Sequence, residues 1–273
     1  EACDLLMGIS KQTVNINKLV LEDCDNSKRV FKYIPHGLNH KAYYPINDGD
    51  IEFSKVQEFK SQLFGGKEVE YVVFFDERYE DCYKFSTSKL SREHLNYLYN
   101  IADVQILLTS NEGWGLTITE AILSGTPIIA NSTGGMQDQM RFEDENGEWF
   151  TPSNHKGTYK KHGEWAFPVY PTSRSIQGSP PTPYIYDDRC SWEDACERIK
   201  EVYNLTKDER ISRGLKGREW AISDEAGFTQ DHQSQRVIEA FEELFERWVP
   251  REKFEIINAT TQKGKYLNHK ITY

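Results

Sequence analysis

Two glutamates stand eight positions apart in the stretch SNEGWGLTITEA, on either side of a Gly-Trp-Gly turn. Apolar spacing after the turn predicts a helix that begins near Leu116 or Thr117. A helix start presents unpaired N–H groups and the positive end of the helix dipole, which suits a phosphate. Glu120, one turn further in, accepts two hydrogen bonds from a vicinal diol such as a ribose. Glu112, in the loop, reaches a second polyhydroxyl group beyond the phosphates, so the pair describes a site for a nucleoside-diphosphate sugar.

The turn between the two acids contributes its backbone to the same predicted site. Gly113 and Gly115 allow the chain to approach a ligand closely. Trp114 either stacks on the bound sugar or wedges the loop, and the sequence leaves both options open. Spacing alone also fits a simpler interpretation, in which Glu120 is favoured by the helix dipole whatever the function and Glu112 is an ordinary loop acid.

The elements that position these residues form a β-α-β pattern. A helical periodicity from residue 91 leads to a buried strand at 104–108, and the helix after the turn closes at Ser124-Gly125 before the strand TPIIA. Further helices are predicted after Ser191 and Thr206, each with an acid three positions later as in a capping box. Strands alternating with helices predict a parallel, doubly wound α/β sheet. Ligands of such sheets bind in loops at the carboxyl ends of strands, where residues 110–117 lie.

Composition excludes several classes of function. The 273 residues are 38% hydrophobic and 13% aromatic, which is enough to fill a core. A formal net charge of -10 argues against nucleic acid or an anionic membrane surface as partner. The five cysteines are scattered without a Cys-x-x-Cys pair, so we expect neither a disulfide framework nor a zinc site, and a cytoplasmic location. We expect no membrane span, because the sequence has no apolar run of about 18 residues.

Two proline-containing segments interrupt the alternating pattern. The Pro-His-Gly turn in KRVFKYIPHGLNHKAYYPIND is typical of a chain that crosses between domains, and residues 35–44 are predicted to be the hinge. We predict the end of an acceptor-side domain and the interdomain crossover at 1–48, a Rossmann-like domain that binds the nucleotide-sugar donor at 49–248, and a tail at 249–273 that returns toward the first domain. Because the chain opens within what reads as a folded element, we expect a piece of a longer protein.

A second segment, YPTSRSIQGSPPTPYIY, is predicted to be a Pro/Ser-rich loop before a strand. Asp187 and Asp188 follow it and are interpreted as turn residues ahead of the helix that Ser191 begins.

The stretch EGWGLTITEAILSGTPIIAN, followed by Thr133-Gly134-Gly135, resembles the donor site of retaining glycosyltransferases of family 4, which have the two-domain GT-B architecture. The shared features are a Glu, seven residues, a second Glu and a Gly-Thr-Pro strand. Residues 4–45 also resemble that family's interdomain region, with DLLMGIS and YIPHGLNHKAYYP in the expected order. The resemblance covers about residues 4–45 and 91–248.

The resemblance implies a role for each residue of the motif. Glu120 matches the glutamate that binds the donor ribose, and Glu112 matches the one beside the transferred sugar, which we take as the catalytic candidate. The stretch that meets the sugar and diphosphate corresponds to donor-binding residues Gly113, Trp114, Gly115, Leu116 and Thr117.

One family feature is missing from its expected place. Relatives carry an Arg and a Lys after the first strand of this domain, and these neutralise the donor diphosphate. Here EVEYVVFF runs into DERYEDCYKF, where only Arg78 is nearby among four acids. The resemblance therefore does not locate the basic pair. It places Lys84 and Phe85 near the nucleotide base.

No resident metal is expected. Asp48-Gly49-Asp50 spells the Asp-x-Asp of metal-dependent glycosyltransferases, but it lies in a Pro/Asn/Gly loop without a preceding buried strand and is interpreted as a turn. The seven histidines show no metal-binding spacing.

The resemblance implies transfer of a hexose, with retention of configuration, from a donor such as GDP-mannose or UDP-glucose to a hydroxyl of a glycan or other acceptor. No cofactor beyond the donor substrate is expected. Two alternatives remain open at this point. One is a nucleotide-sugar epimerase of the same architecture, and the other is a non-catalytic subunit that binds nucleotides or glycans.

Overall fold

The structure is a computed structural model that describes residues 3–64, 90–151, 159, 161–180 and 182–250. It begins with a small parallel β-α-β unit. Strand β1 spans Leu5–Gly8, helix α1 spans Lys11–Val20 and strand β2 spans Val30–Tyr33, with Leu5 paired to Val30. The Ser10 side chain caps α1 by accepting from the backbone N–H of Thr13.

The chain then crosses to a second unit through residues 34–52. Two helices follow, α2 at Phe53–Phe64 and α3 at Arg92–Ile101. The second sheet is parallel and has the strand order β3-β4-β5, with β3 at Gln105–Leu107, β4 at Ile128–Asn131 and β5 at Ala166–Val169. Helix α4, Leu116–Leu123, makes the crossover between β3 and β4, and the short helix α5, Met136–Gln139, follows β4.

The core lies between α4 and its neighbours. Ile118, Ala121 and Ile122 of α4 are fully buried, as are Ile128 and Ile129 of β4. Burial of β4 on both faces explains its continuous apolar sequence, since helices cover a parallel sheet on each side. The predicted α/β class with parallel sheets is confirmed.

After β5 the structure differs from the sequence-based expectation. Residues predicted as a Pro/Ser-rich loop form an antiparallel hairpin, with β6 at Ser173–Ser179 and β7 at Thr182–Arg189. The prediction was wrong because Gly and Pro residues at the tip were taken to describe the whole segment, whereas they mark only its turn.

Three helices complete the described chain. They are α6 at Trp192–Tyr203, α7 at Lys207–Ile222 and α8 at Gln230–Arg247. The predicted capping box of α7 is confirmed in both directions between Thr206 and Glu209. None of the helices in the described ranges has the length and apolar character needed to cross a membrane.

Helix α8 returns to the first unit. It packs on β1 and β2, and Glu243 forms an ion pair with Lys32 of β2. The crossover is tied to the start of the same helix, because Leu38 N–H donates to Phe228 O and Gln230 N–H donates to Leu38 O, both at 3.0 Å. The described chain therefore already revisits the first sheet before Trp248, while most of the predicted tail lies outside the described residues. The predicted domain boundaries and hinge stay predictions.

Candidate functional site

The two motif loops meet at the carboxyl edge of the second sheet. Residues 110–115, here called the GWG loop, follow β3, and residues 132–135, here called the STGG loop, follow β4. A Cβ added to Gly134 would lie 1.8 Å from the carbonyl oxygen of Glu112, and one added to Gly135 would lie 2.5 Å from that of Gly113. Gly134 also has a φ of +51°. Only glycine permits this approach, so the STGG loop acts as a rigid support behind the GWG loop.

Helix α4 begins at the end of the GWG loop without a side-chain cap. Gly115 is the N-cap residue, with φ +85° and ψ +67°, and it has no side chain to accept from the first amides. Leu116 is 47% exposed and Thr117 is exposed as well. The first turn of α4 thus begins in exposed residues and has no side-chain cap, and binding of a phosphate by its backbone N–H groups stays a prediction.

Trp114 lies in the core beneath the loop. Its indole is 2% exposed, packs edge-on against Phe228 at 5.1 Å between ring centroids, and donates from Nε1 to Thr119 Oγ1 at 2.9 Å. The sequence left stacking on a sugar and wedging the loop as alternatives for this side chain. The structure shows the second, because the buried indole packs under the loop and supports it. Any contribution of Trp114 to a ligand therefore comes from its backbone.

Gln139 completes a buried polar network under the GWG loop. Its Oε1 accepts from Thr119 Oγ1 at 2.7 Å, and its Nε2 donates to the carbonyl oxygens of Trp114 at 2.6 Å and Gly115 at 3.2 Å. Since Thr119 also accepts from the indole, both loop carbonyls and the tryptophan are held by one connected set of bonds. Gln139 is fully buried. The sequence analysis missed this residue, although a Gln in an otherwise buried segment after the STGG loop was a signal that a buried partner existed.

Glu120 is held by two tyrosines. Tyr43 Oη donates to Glu120 Oε1 and Tyr99 Oη donates to Glu120 Oε2, each at 2.7 Å. Burial and the neighbouring carboxylate raise the pKa of both phenols, so they remain protonated donors. Each carboxylate oxygen retains capacity for another hydrogen bond, and the two tyrosines fix where it points. The tyrosines come from the crossover and from α3, and the sequence analysis did not identify them as partners.

Glu112 contrasts with Glu120. Its side chain is half-buried at the mouth of the GWG loop, and its carboxylate has no hydrogen-bond or ion-pair partner among the described residues. The carboxylate is therefore available to a ligand.

The first β-α-β unit abuts the same edge. A Cβ on Gly113 would lie 3.6 Å from Cδ1 of Ile9, in the loop between β1 and α1. The backbone N–H of Lys11 donates to Asp138 Oδ2 at 2.8 Å, and Lys11 Nζ lies 3.5 Å from the Trp149 ring centroid. Desolvation raises the pKa of Asp138 to about 6 and lowers that of Lys11 to about 8. The two units thus share a titratable contact between the start of α1 and α5.

The base of the β6–β7 hairpin is attached to both loops by Asp188. Its backbone N–H donates to Ser110 O at 2.7 Å, and its Oδ2 accepts from Thr133 Oγ1 at 2.8 Å. Arg174 pairs with it across the hairpin, Nε to Oδ1 at 2.6 Å. Asp188 is 3% exposed and lies in a strand, so its interpretation as a turn residue was wrong. A buried, paired acid in this position links the three carboxyl-end segments.

Within the described residues, no group of three His, Cys, Asp or Glu side chains is arranged to hold a metal ion. Asp50 of the Asp-x-Asp sequence accepts from the backbone N–H of Asn47 at 2.6 Å, as expected for a turn. The absence of a metal cofactor remains a prediction. Arg78, Lys84 and Phe85 lie outside the described residues.

Comparison with known proteins finds similar glycosyltransferases. Residues 83–162 match the family model described as Glycosyl transferases group 1. The chain is 26% identical over 118 residues, 42% of its length, to an uncharacterized glycosyltransferase from Methanocaldococcus jannaschii, of which the match covers 28%. It is 39% identical over 51 residues, 19% of its length, to a D-inositol 3-phosphate glycosyltransferase from Mycolicibacterium gilvum, of which 12% is covered. The matches span less than a third of either relative.

Solved structures share the fold. A sucrose-phosphate synthase from Thermosynechococcus elongatus superposes with a TM-score of 0.54 at 16% identity, covering 90% of this chain and 59% of that one. A glycosyltransferase from Rickettsia africae gives 0.54 at 14% identity, covering 88% and 63%. At these identities the likeness concerns the fold alone.

Proposed function

We propose that this chain, which contains a glycosyltransferase group 1 domain of the GT-B type, binds a nucleoside-diphosphate sugar at the GWG loop and transfers its hexose to a hydroxyl acceptor with retention of configuration. The observation that carries the proposal is the difference between the two glutamates. Glu120 is fixed by two tyrosine hydroxyls beside the first turn of α4, while Glu112, on the other side of the glycines, has no side-chain partner within the part of the chain that the structure describes. A ligand with a diol, a diphosphate and a sugar in that order matches this sequence of groups.

The diphosphate is assigned to the start of α4. Negative charge builds up on this group when the bond to the anomeric carbon breaks, so its stabilisation is the main catalytic task. The uncapped first turn at Leu116 and Thr117 supplies backbone N–H groups and the helix dipole. Because the buried network of Gln139 holds the carbonyls of the preceding loop, these backbone N–H groups are in place before the nucleotide sugar binds.

Glu120 is assigned to the ribose. Each of its two oxygens already accepts from one tyrosine hydroxyl and has the capacity to accept one further hydrogen bond from a vicinal diol. A glycosidase is a poor alternative, because that chemistry requires both carboxylates of a pair at the scissile bond. Glu112 is assigned to the transferred hexose, where a carboxylate stabilises positive charge that develops on the sugar ring.

Paired variants test these assignments. Glu120→Ala should weaken the binding of nucleoside diphosphate and of nucleotide sugar by about 1.5–3 kcal/mol, roughly tenfold to a hundredfold, and Glu120→Gln should lose less. Glu112→Ala should leave nucleoside diphosphate affinity nearly unchanged while lowering turnover, because its interaction matters as the sugar departs. Isothermal titration with UDP, GDP and their hexose conjugates, beside a transfer assay, measures both.

Glu197→Ala is the matched control, since this acid is exposed on α6. Equal effects of the two motif variants on nucleotide binding, or none from Glu120→Ala in a folded protein, would contradict the assignment. Repeating the titration in EDTA tests the proposed independence from metals. Donor consumption without an acceptor would favour the epimerase alternative, and binding without any turnover would favour a non-catalytic subunit.

A further inference from the structure

The β6–β7 hairpin exposes apolar side chains beside the GWG loop. Ile176 is 58% exposed, Tyr184 is 81% exposed and Tyr186 is 55% exposed. The hairpin leaves the sheet after β5, the last strand of the parallel sheet, so it projects from the same carboxyl edge as the GWG and STGG loops. Asn111 Nδ2 of the GWG loop donates to Tyr186 O at 3.4 Å.

Two of these exposed side chains, Ile176 and Tyr186, lie on the face of the hairpin that also carries Arg174 and Asp188. Ile176 is directly opposite Tyr186, and Arg174 is directly opposite Asp188. Positions two apart on a strand share a face, so Tyr186 and Asp188 lie on the same face of β7, with Tyr186 nearer the tip of the hairpin. Asp188 contacts Thr133 of the STGG loop on this side. The apolar face therefore continues the surface on which the two motif loops lie.

Tyr184 has a backbone conformation that large residues rarely adopt. Its φ is +61°, in the left-handed region that favours glycine. A tyrosine there is strained by an amount of order 1–3 kcal/mol, and strain of this kind clusters at active sites, ligand clamps and switch regions. It coincides here with the irregular register between Gln177 and Ser179 on the opposite strand. In this case the strained residue is also the most exposed of the three.

The chemistry of the face points to an uncharged, hydroxyl-rich ligand. Arg174, whose guanidinium lies 5.6 Å from the Tyr186 ring centroid, is neutralised by Asp188, so the face offers aromatic rings without net charge. Tyrosine combines an apolar ring with a hydroxyl tip, which suits a sugar ring with its C–H face on one side and hydroxyls at its rim. A polyanion does not fit, because the chain carries a net charge of -10.

We propose that Ile176, Tyr184 and Tyr186 form an acceptor subsite that binds a sugar ring of a glycan next to the hexose being transferred. The inference rests on the proposed function of the GWG loop and adds to it the class of the acceptor, a carbohydrate. The hairpin holds the acceptor sugar, and the GWG loop holds the donor.

The test combines Tyr184→Ala and Tyr186→Ala in one variant and supplies p-nitrophenyl glycosides of glucose, mannose, galactose and N-acetylglucosamine as acceptors. The acceptor KM should rise about tenfold, while kcat and the affinity for nucleoside diphosphate change less than twofold. Changing both tyrosines to Phe should have a smaller effect, because the rings remain. Tyr203→Ala is the control, since Tyr203 is 61% exposed at the end of α6.

Direct binding of the same glycosides, measured by ligand-observed NMR, separates this inference from the proposed function. If the wild type binds glycosides but no nucleotide, and the double variant loses glycoside binding, the donor assignment fails and the subsite stands. If nucleotide binding holds and the acceptor KM is unchanged, or if the wild type binds no glycoside, the subsite is refuted. A wild-type dimer that dissociates in the double variant, measured by sedimentation, would assign the face to a second copy of the chain instead.

Discussion

The GWG loop and the β6–β7 hairpin lie at the same edge of the sheet, but they are stabilised in opposite ways. The GWG loop rests on buried bonds from Gln139 and on the glycines of the STGG loop, so its backbone is fixed from below. The hairpin is fixed through Asp188 at its base and exposes its outer side chains. This difference matches the demands of the two proposed ligands, because a diphosphate requires donors at set positions whereas acceptors vary in size and linkage.

The largest expected effect comes from filling the contact between the two motif loops. Gly134→Ala would place a methyl group 1.8 Å from the Glu112 carbonyl oxygen and would strain a backbone with φ +51°. We expect a loss of about 3 kcal/mol in the free energy of unfolding, together with loss of nucleotide binding. Urea denaturation and titration with UDP or GDP measure the two effects.

Gly147→Ala is the matched control for this prediction. Gly147 also has a positive φ, +82°, but a Cβ there meets nothing within 4 Å. It should cost only the backbone strain of about 1 kcal/mol and leave nucleotide binding intact. Equal losses from the two variants would show that the loop contact contributes nothing specific.

Gln139→Leu tests the network beneath the GWG loop. It replaces the amide with an apolar side chain of similar size, so the Trp114 and Gly115 carbonyls lose the bond from Gln139, although Gly115 still accepts from backbone N–H groups of α4. We expect destabilisation of about 2 kcal/mol. Thr119→Val should cost about 1–2 kcal/mol, and the double variant should lose less than the sum because both residues belong to one network. Chemical denaturation of all three proteins gives this coupling energy, and strict additivity would argue against a connected network.

Asp188→Ala should affect mainly the hairpin. Removing the buried carboxylate frees Arg174 to reach solvent, so we expect only about 1–2 kcal/mol of destabilisation. Acceptor KM should rise while nucleoside diphosphate affinity remains within a factor of about two of wild type. If nucleotide affinity falls as much as acceptor affinity, the two regions are energetically one unit and the comparison fails.

The smallest effect concerns pH. Burial raises the pKa of Asp138 to about 6, so the folded state binds more protons than the unfolded state between the usual value of 3.8 and 6. Stability should therefore decrease as pH rises through this window, by about 1 kcal/mol between pH 5 and 7. Asp138→Asn should remove this slope, which denaturation at both pH values would reveal. Lys11, whose pKa is lowered to about 8, should add the opposite slope only above that pH.

The elements around the GWG loop were predictable because their signals are local. Apolar periodicity identified α4 and its flanking strands, and the Thr206 to Glu209 spacing identified the cap of α7. The partners of Glu120 were not predictable, since Tyr43 and Tyr99 lie 77 and 21 positions away in other elements. Their approach is a product of tertiary packing, which one sequence does not encode at any fixed spacing.

The hairpin shows a second reason why part of the structure could not be predicted from the sequence. Its strands contain residues of both strand and turn type, and the buried role of Asp188 depends on where the hairpin base meets Thr133. A charged residue near a Pro/Gly-rich segment is usually exposed, and this one is buried because Arg174 pairs with it. Trp114 was left with two options for a similar reason, because the sequence does not show which side of the loop faces the core.

Because the hairpin is attached at its base through Asp188, its outer half is suited to replacement by protein engineering. Residues 176–186 could be exchanged for other tips while Arg174, Asp188 and Thr133 keep the joint intact. A library that varies only these positions would sample new surfaces without touching the sheet, so its members should express and melt alike.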